Sequence, residues 1–333
     1  MRLALVTGAT GGLGLALSAA LLAEGYGVRA TGRDALAIKR LRAMGAEAFE
    51  ADLVADPDRA AALCDGVDVV FHAAALSSPW GAARAFEAAN VQMTRTLLDA
   101  ARRAGCQGLV FVSSPSIHAE VRDRLALTEV DPPAARPMNA YARTKLAAER
   151  LVRAANGPDF FTVAIRPRAL VGPDDKVLLP RLLQLIARGW APLPRGGRAL
   201  VELTDTRDAA RALILADRGR QTLGGRVFNI SGGAPVSIRA FALDLAAAAG
   251  LPLRIAPAPW RFLHAGAALA ETVASVLPGR PEPRLTRYGV ATLAFSQTFD
   301  LAAARLDLGY APRYDARATA LELARRWREG SWP

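Results

Sequence analysis

Tyr141-Ala142-Arg143-Thr144-Lys145 sets a phenol and an ammonium four residues apart, a spacing that puts both on one face of a helix. An ammonium at that distance favours tyrosinate and lowers the phenol pKa, making Tyr141 an expected acid or base near neutrality. Upstream, Phe111-Val112-Ser113-Ser114-Pro115-Ser116 closes an apolar run with a cluster of hydroxyls. At the carboxyl edge of an open parallel sheet, that cluster would lie where ligands bind. A Tyr-xxx-Lys pair alone recurs by chance, so its weight depends on what accompanies it.

The start of the chain supplies the companion. Thr7-Gly8-Ala9-Thr10-Gly11-Gly12-Leu13-Gly14 follows an apolar run and opens an amphipathic one. Gly8 would permit the tight turn, Gly11 the approach of a pyrophosphate to the backbone, and Gly14 close packing of helix on strand. Thr10, Gly12 and Leu13 would lend N–H donors at the helix start. A glycine turn without a ligand is the plainer alternative, but the strand–turn–helix context argues for a dinucleotide. An NAD site usually carries an acid about 18–20 residues past the last glycine. Here Gly32 occupies that position and Arg33 follows, and a guanidinium there suits a 2′-phosphate. NADP(H) is therefore favoured. Asp34 keeps NAD(H) open, although it reads better as the N-cap of the next helix. Asp52 and Leu53, at the end of the third strand, are expected near the adenine.

Around these residues the chain alternates strand and helix patterns. Strands are predicted at 2–6, 27–31, 46–50, 67–71, 107–113 and 160–165, with helices near 12–24, 34–44, 57–64, 84–104 and 138–155. Such alternation implies right-handed crossovers and a parallel sheet covered on both faces. The fold class is thus α/β, a Rossmann-type doubly wound parallel sheet over residues 1–172. Past 172 the rhythm breaks at Gly-Pro and Pro-rich loops. Residues 173–333 are expected to form a smaller, mostly helical substrate-binding portion, with a segment near 200–231 returning to the sheet through Arg226 to Ile230.

Composition narrows the classes. Hydrophobic residues make up 52% of the 333, ample for a core, and charged residues 22%. The formal net charge of +11 comes mostly from dispersed arginines without a basic run, so nucleic acid is not expected as a partner. Cys64 and Cys106 lack metal or disulfide spacing, and His72, His118 and His264 form no ligand set; no metal is expected. No apolar stretch reaches the ~18 residues of a membrane span. The chain opens directly on a strand-like run, so the cytoplasm is the expected compartment. Arg261 to Leu277 is amphipathic and could be a lid, a shallow membrane contact or ordinary core. Trp80, after Ser77-Ser78-Pro79, could contact substrate or simply pack its loop.

In order and spacing, these motifs resemble an extended short-chain dehydrogenase/reductase of the 3β-hydroxysteroid dehydrogenase-like branch. They are joined by His72-Ala73-Ala74-Ala75, Asn90-Val91-Gln92-Met93-Thr94, and Arg166-Pro167-Arg168 with Gly172-Pro173. Ala164 to Arg181 and the end of the chain look like bacterial reductases of 2-alkyl-3-ketoalkanoic acids. The resemblance implies that Tyr141 transfers the proton while Lys145 holds the nicotinamide ribose. It implies that Ser114 binds the reacting oxygen, with Ser113 or Ser116 able to share the task. Asn90 would be a structural or relay member. Ala73, Ala74, Ala75, Val112 and Pro167 would line the cofactor, and Ser77, Trp80, Ser116 and Arg168 would meet the substrate. The implied function is hydride transfer between a nicotinamide and a carbonyl or hydroxyl carbon of a hydrophobic small molecule, steroid-like or a β-keto acid. A homodimer through the helix carrying Tyr141 is common in such proteins. Two alternatives are a sugar-nucleotide epimerase or dehydratase that retains its cofactor, and a non-catalytic NADP(H) sensor. His118 stands where many epimerases carry tyrosine, which sits less easily with the first. The retained Tyr/Lys pair speaks against the second.

Overall fold

The computed structural model describes residues 1–332. Seven short strands form one parallel sheet: β1 (Leu3–Thr7), β2 (Gly27–Gly32), β3 (Glu47–Glu50), β4 (Val69–His72), β5 (Gly108–Val112), β6 (Phe161–Pro167) and β7 (Val227–Ile230). Their order across the sheet is β7-β6-β5-β4-β1-β2-β3. The chain reverses direction of travel between β1 and β4, which opens a crevice at the carboxyl ends of those strands. Strands β1, β4, β5 and β6 are buried nearly throughout, and their apolar runs follow from being covered on both faces.

Two core layers do the covering. On one face, α1 (Gly12–Ala23), α2 (Ala35–Ala43) and α7 (Thr206–Arg218) contribute Leu17, Leu21, Leu41 and Leu213. On the other, α3 (Arg59–Cys64), α4 (Met93–Arg103) and α5 (Ala140–Ala154) contribute Leu63, Leu97, Ala148 and Val152. At roughly 25 cal/mol per Å² of apolar surface, each fully buried leucine stabilises the fold by about 2 kcal/mol. Residues beyond 200 return to the sheet: α7 packs on α1, and β7 pairs with β6.

A third cluster belongs to the C-terminal body, where α6 (Leu179–Ile186), α8 (Ile238–Ala248) and α11 (Ala316–Arg328) bury Leu183, Leu245 and Leu323 together. This mostly helical portion also carries strands. A four-stranded sheet joins Val236–Ser237, Leu200–Val201, Gln297–Phe299 and Arg124–Leu127. The last of these lies between β5 and α5, so the first half of the chain reaches into the second body.

The stretch expected as one helix over 84–104 is broken. Ala83–Phe86 is followed by a π-helical segment, Glu87–Gln92, before α4 begins at Met93. Such an insertion often marks a functional position, and here it holds Asn90. The helix α9 (Trp260–Val276) is not core packing: of its residues only Ala267 and Ala274 are buried, while Phe262, Leu269, Val273 and Val276 are exposed. Among the described residues no helix is long and apolar enough to cross a membrane.

Candidate functional site

The glycine turn lies at the carboxyl end of β1, against the end of β4. Gly8 has φ +68°, and a Cβ there would sit 2.6 Å from the Ala74 nitrogen. A Cβ on Gly14 would collide with the Gly8 carbonyl. Both glycines are thus required by the fold. Gly11 differs: a Cβ would meet only the Gly8 oxygen, at 3.5 Å, so no protein atom crowds that face. The N-terminal turn of α1 has no side-chain cap and no acid, which leaves oriented N–H groups for an anion. This cradle fits a dinucleotide pyrophosphate. The segment after Gly172 lies over the turn, with the Asp174 carbonyl 2.7 Å from where a Gly12 Cβ would stand.

At the end of β2, a Cβ on Gly32 would strike the Thr10 side chain, a local reason for glycine at this position. Asp34 is committed elsewhere. Its Oδ1 accepts from Leu36 N and Ala37 N as the N-cap of α2, and its Oδ2 accepts from Lys176 Nζ at 2.9 Å. The Lys176 bond, with the cap bonds, holds the Asp34 carboxyl below the usual range. Arg33 is 73% exposed and makes only a loose 3.6 Å pair with Asp52. Asp52 lies two residues beyond β3, its Oδ1 accepting from Val54 N, and Leu53 is buried beside it.

Across the crevice, α5 begins at an Asn139 cap and carries Tyr141 and Lys145. The Tyr141 phenol faces the hydroxyls of Ser114 and Ser77. Burial pushes its pKa up, and those two hydroxyls only partly oppose the shift. Lys145 is not among the groups that oppose it. The Lys145 ammonium instead donates to the Val112 carbonyl at 2.5 Å and lies 4.0 Å from the centre of the Phe111 ring. Burial brings Lys145 itself down to about 7, against a weaker upward pull from Glu149.

Of the three serines, Ser113 is engaged by Glu149 while Ser114 and Ser116 bond each other. Ser113 is not available to a ligand oxygen, because its hydroxyl donates to Glu149 Oε2 at 2.6 Å. Ser114 caps the short 3₁₀ turn Pro115–His118, and its hydroxyl donates to buried Ser116 Oγ at 3.0 Å. Glu149 also forms a two-point ion pair with Arg166, at 2.6 and 2.8 Å, both side chains almost wholly buried. Burial pushes the Glu149 carboxyl up, but the Arg166 and Ser113 bonds outweigh it and leave the group below its ordinary value. Arg166 Nη1 lies 3.3 Å from His118 Nε2. Burial first, then Arg166, lowers His118 to about 4, so it is a neutral acceptor.

Asn90 does not point a free group at the site. Its Oδ1 accepts from Leu76 N at 2.8 Å, and its Nδ2 donates to Thr144 Oγ1 at 3.0 Å. It ties the Ala73–Ser77 loop to α5. His72 bridges Thr7 and Thr94 inside the sheet and is held neutral, lowered by burial to about 3. Trp80 donates its indole N–H to the Arg280 carbonyl, which supports the loop-packing reading. Pro167 ends β6, and Arg168 follows it into the interior. Sequence reasoning missed two members. Glu149 lies one helical turn past Lys145 and was legible as that position. Tyr288, beside Arg168, had no local signal at all. Among the described residues no group of His, Cys, Asp and Glu could hold a metal ion.

Comparison with known proteins agrees with this architecture. Residues 4–231 match the NAD dependent epimerase/dehydratase family. The chain is 36% identical over 309 residues, covering 92% of this chain and 91% of the relative, to 4-hydroxy-2-methyl-3-oxo-4-farnesyl-3,4-dihydroquinoline-1-oxide ketoreductase of Stigmatella aurantiaca. It is 34% identical to 2-alkyl-3-oxoalkanoate reductase of Stenotrophomonas maltophilia, covering 93% of this chain and 94% of that one. Among solved structures it is similar to MoeE5 in complex with UDP-glucose and NAD, with TM-score 0.75, 26% identity, and coverage of 97% and 99%. With the glycine cradle, the seven-stranded sheet and these relatives in agreement, the chain belongs to the NAD-dependent epimerase/dehydratase family, the extended short-chain dehydrogenases/reductases, and is an NAD(P)-dependent oxidoreductase.

Proposed function

We propose that the protein is an NADP(H)-preferring reductase of a ketone on a hydrophobic molecule, with Tyr141 as proton donor and Ser114 orienting the reacting oxygen. The observation that carries this reading is the Tyr141 phenol facing the Ser114 and Ser77 hydroxyls with its pKa raised. A phenol so held keeps its proton at neutral pH and can give it to an oxygen as that oxygen gains charge. When bound, the nicotinamide supplies or takes up the hydride. Gly8, Thr10, Gly11, Gly12, Leu13 and Gly14 would hold its pyrophosphate; Asp52 and Leu53 would meet the adenine. Ala73, Ala74, Ala75, Val112 and Pro167 would line the nicotinamide half, with Lys145 against its ribose. Arg33, exposed while Asp34 is used up in capping, supports a 2′-phosphate over a bare ribose hydroxyl. Asn90 is a positioning residue. The names of the two curated relatives support a ketone on a long apolar skeleton.

The test is loss of nicotinamide absorbance with NADPH and a panel of apolar ketones, with Tyr141→Phe as control. Tyr141→Phe should abolish turnover and leave NADPH affinity within about twofold; full activity in that variant sinks the assignment. Likeness to a structure holding UDP-glucose supports a second reading, epimerisation with cofactor retained. Tightly bound nicotinamide and turnover without net consumption would favour it.

A further inference from the structure

Helix α9 carries its amphipathic pattern turned outward. Phe262, Ala265, Gly266, Leu269, Val273 and Val276 follow the spacing of a single helix face, and all are exposed, Phe262 by 78% and Val276 by 79%. At 1.5 Å per residue the stripe is about 20 Å long. The one carboxylate of the helix faces the other way. Glu271 is 12% exposed and accepts from the backbone N and the Nε of Arg287, on α10 (Arg287–Ala294). A helix that packs through its acid and shows solvent its apolar side chains marks an interaction surface.

The stripe is held in that position. Trp260 meets Phe295 edge-on, with 5.1 Å between ring centres, and Glu271 joins the middle of the helix to α10. Just past the last turn, the Arg280 carbonyl accepts from the Trp80 indole N–H at 3.0 Å. Fixed at its start, middle and end, α9 is not arranged to fold over the site as a lid.

Charge selects the occupant. Arg261 stands beside Phe262, and Arg280 and Arg284 follow the other end of the stripe; all three are exposed. Among the described residues none of the three has an ion-pair partner, since the carboxylates of this segment, Glu271 and Glu282, are taken by Arg287 and Arg181. The stripe is therefore bracketed by uncompensated cations, on a chain of net charge +11. A second copy docked through the same face would bring these cations against one another. An anionic lipid surface satisfies both the cations and the stripe.

We propose that α9 seats the protein on an anionic lipid bilayer, its stripe entering the headgroup boundary without crossing the membrane and Arg261, Arg280 and Arg284 meeting lipid phosphates. The end of α9 that meets Trp80 lies against the loop that Asn90 ties to α5, so the bilayer adjoins the site. An apolar substrate would then reach the site from lipid without crossing water. That consequence rests on the reductase reading; the docking does not.

Flotation of the full chain with vesicles tests the docking without reference to activity. Vesicles of phosphatidylcholine with about 30 mol% phosphatidylglycerol should bind the parent at least ~10-fold more strongly than phosphatidylcholine alone, a contrast that salt should shrink. Phe262→Ser combined with Leu269→Ser should weaken binding at least ~10-fold and keep the melting temperature within about 2 °C, because both side chains leave water only on docking. Arg261→Gln with Arg280→Gln should remove most of the preference for anionic lipid. No flotation with either composition, flotation indifferent to lipid charge, or flotation unchanged in the double serine variant overturns the proposal. So does a protein that does not float but forms a concentration-dependent dimer in sedimentation, lost in that variant; the stripe then belongs to a second copy. Failure to reduce any apolar ketone, with flotation intact, overturns the reductase reading and leaves the docking standing.

Discussion

Replacing Glu149 by leucine should do more damage than its distance from the phenol suggests. Glu149 accepts two bonds from Arg166 and one from Ser113, with both charged side chains 5% exposed or less. Removing the carboxylate leaves Arg166 as an uncompensated buried cation, with neutral His118 as its remaining side-chain neighbour at 3.3 Å. Breaking a buried pair from one side costs about 3–5 kcal/mol. With an unfolding entropy of about 2.1 cal/mol/K per residue, a chain of this length loses ~0.7 kcal/mol per degree, so the melting temperature should fall by roughly 4–7 °C. Arg166→Met alone should cost a similar amount. The double variant should cost less than either, because two apolar side chains leave no charge behind. The freed Ser113 hydroxyl and loosened strand end should also lower kcat while cofactor affinity stays within about twofold. Melting at fixed scan rate, with ketone reduction alongside, measures both. The reasoning fails if Glu149→Leu costs under about 1 kcal/mol, or if the two single effects simply add.

Further outcomes follow from other parts of the site. Arg33→Ala should weaken NADPH about 10- to 100-fold in a fluorescence titration, the worth of one or two charge-assisted bonds, and leave NADH within about twofold; equal loss for both would refute the 2′-phosphate role. Gly11→Ala should fold normally, because its Cβ meets only one oxygen at 3.5 Å, yet bind NADPH at least ~10-fold more weakly. Gly14→Ala should lose stability outright. Asn90→Ala strands the Leu76 N–H and the Thr144 hydroxyl, so a loss of about 1–3 kcal/mol is expected in urea unfolding, with kcat reduced as the Ser77 loop drifts. Lys145 titrates near 10.5 in the unfolded chain and about 7 in the folded one. Between those values the folded state binds fewer protons, so the burial penalty is full below pH 7 and relaxes as pH rises. Relative to Lys145→Met, the parent should therefore gain ~2–4 kcal/mol between pH 7 and 10; a flat difference would show that Lys145 is not desolvated.

The main sheet was legible because doubly buried parallel strands have to be apolar along their whole length. Val69–His72 and Gly108–Val112 could hardly be anything else. The second sheet was not. It joins Arg124 to Gln297 across the whole C-terminal body, and pieces such as Leu200–Val201 are too short to show a period. The π segment at Glu87–Gln92 was hidden for a similar reason: Asn90 is engaged by Leu76 and Thr144, and no pattern within 84–104 contains either partner.

The residues of the site were legible by type and only partly by role. Spacing placed Tyr141 and Lys145 on one face of a helix, and it placed three serines at one strand end. It could not rank those serines. Glu149, brought in from α5, consumes the Ser113 hydroxyl, while Ser114, bonded to Ser116, is the one that faces the phenol. Asp34 shows the same logic at the other end of the crevice: capping and Lys176 occupy both its oxygens, and Arg33 is left exposed to meet a ligand. Arg166 and Arg168 show it again. In the sequence they are equivalent, two arginines flanking one proline. Accounting for charge separates them, because one has a buried carboxylate within 3 Å and the other has none. A core that needed only stability would be better served by an apolar side chain at 168 than by a buried guanidinium whose Nε has no partner.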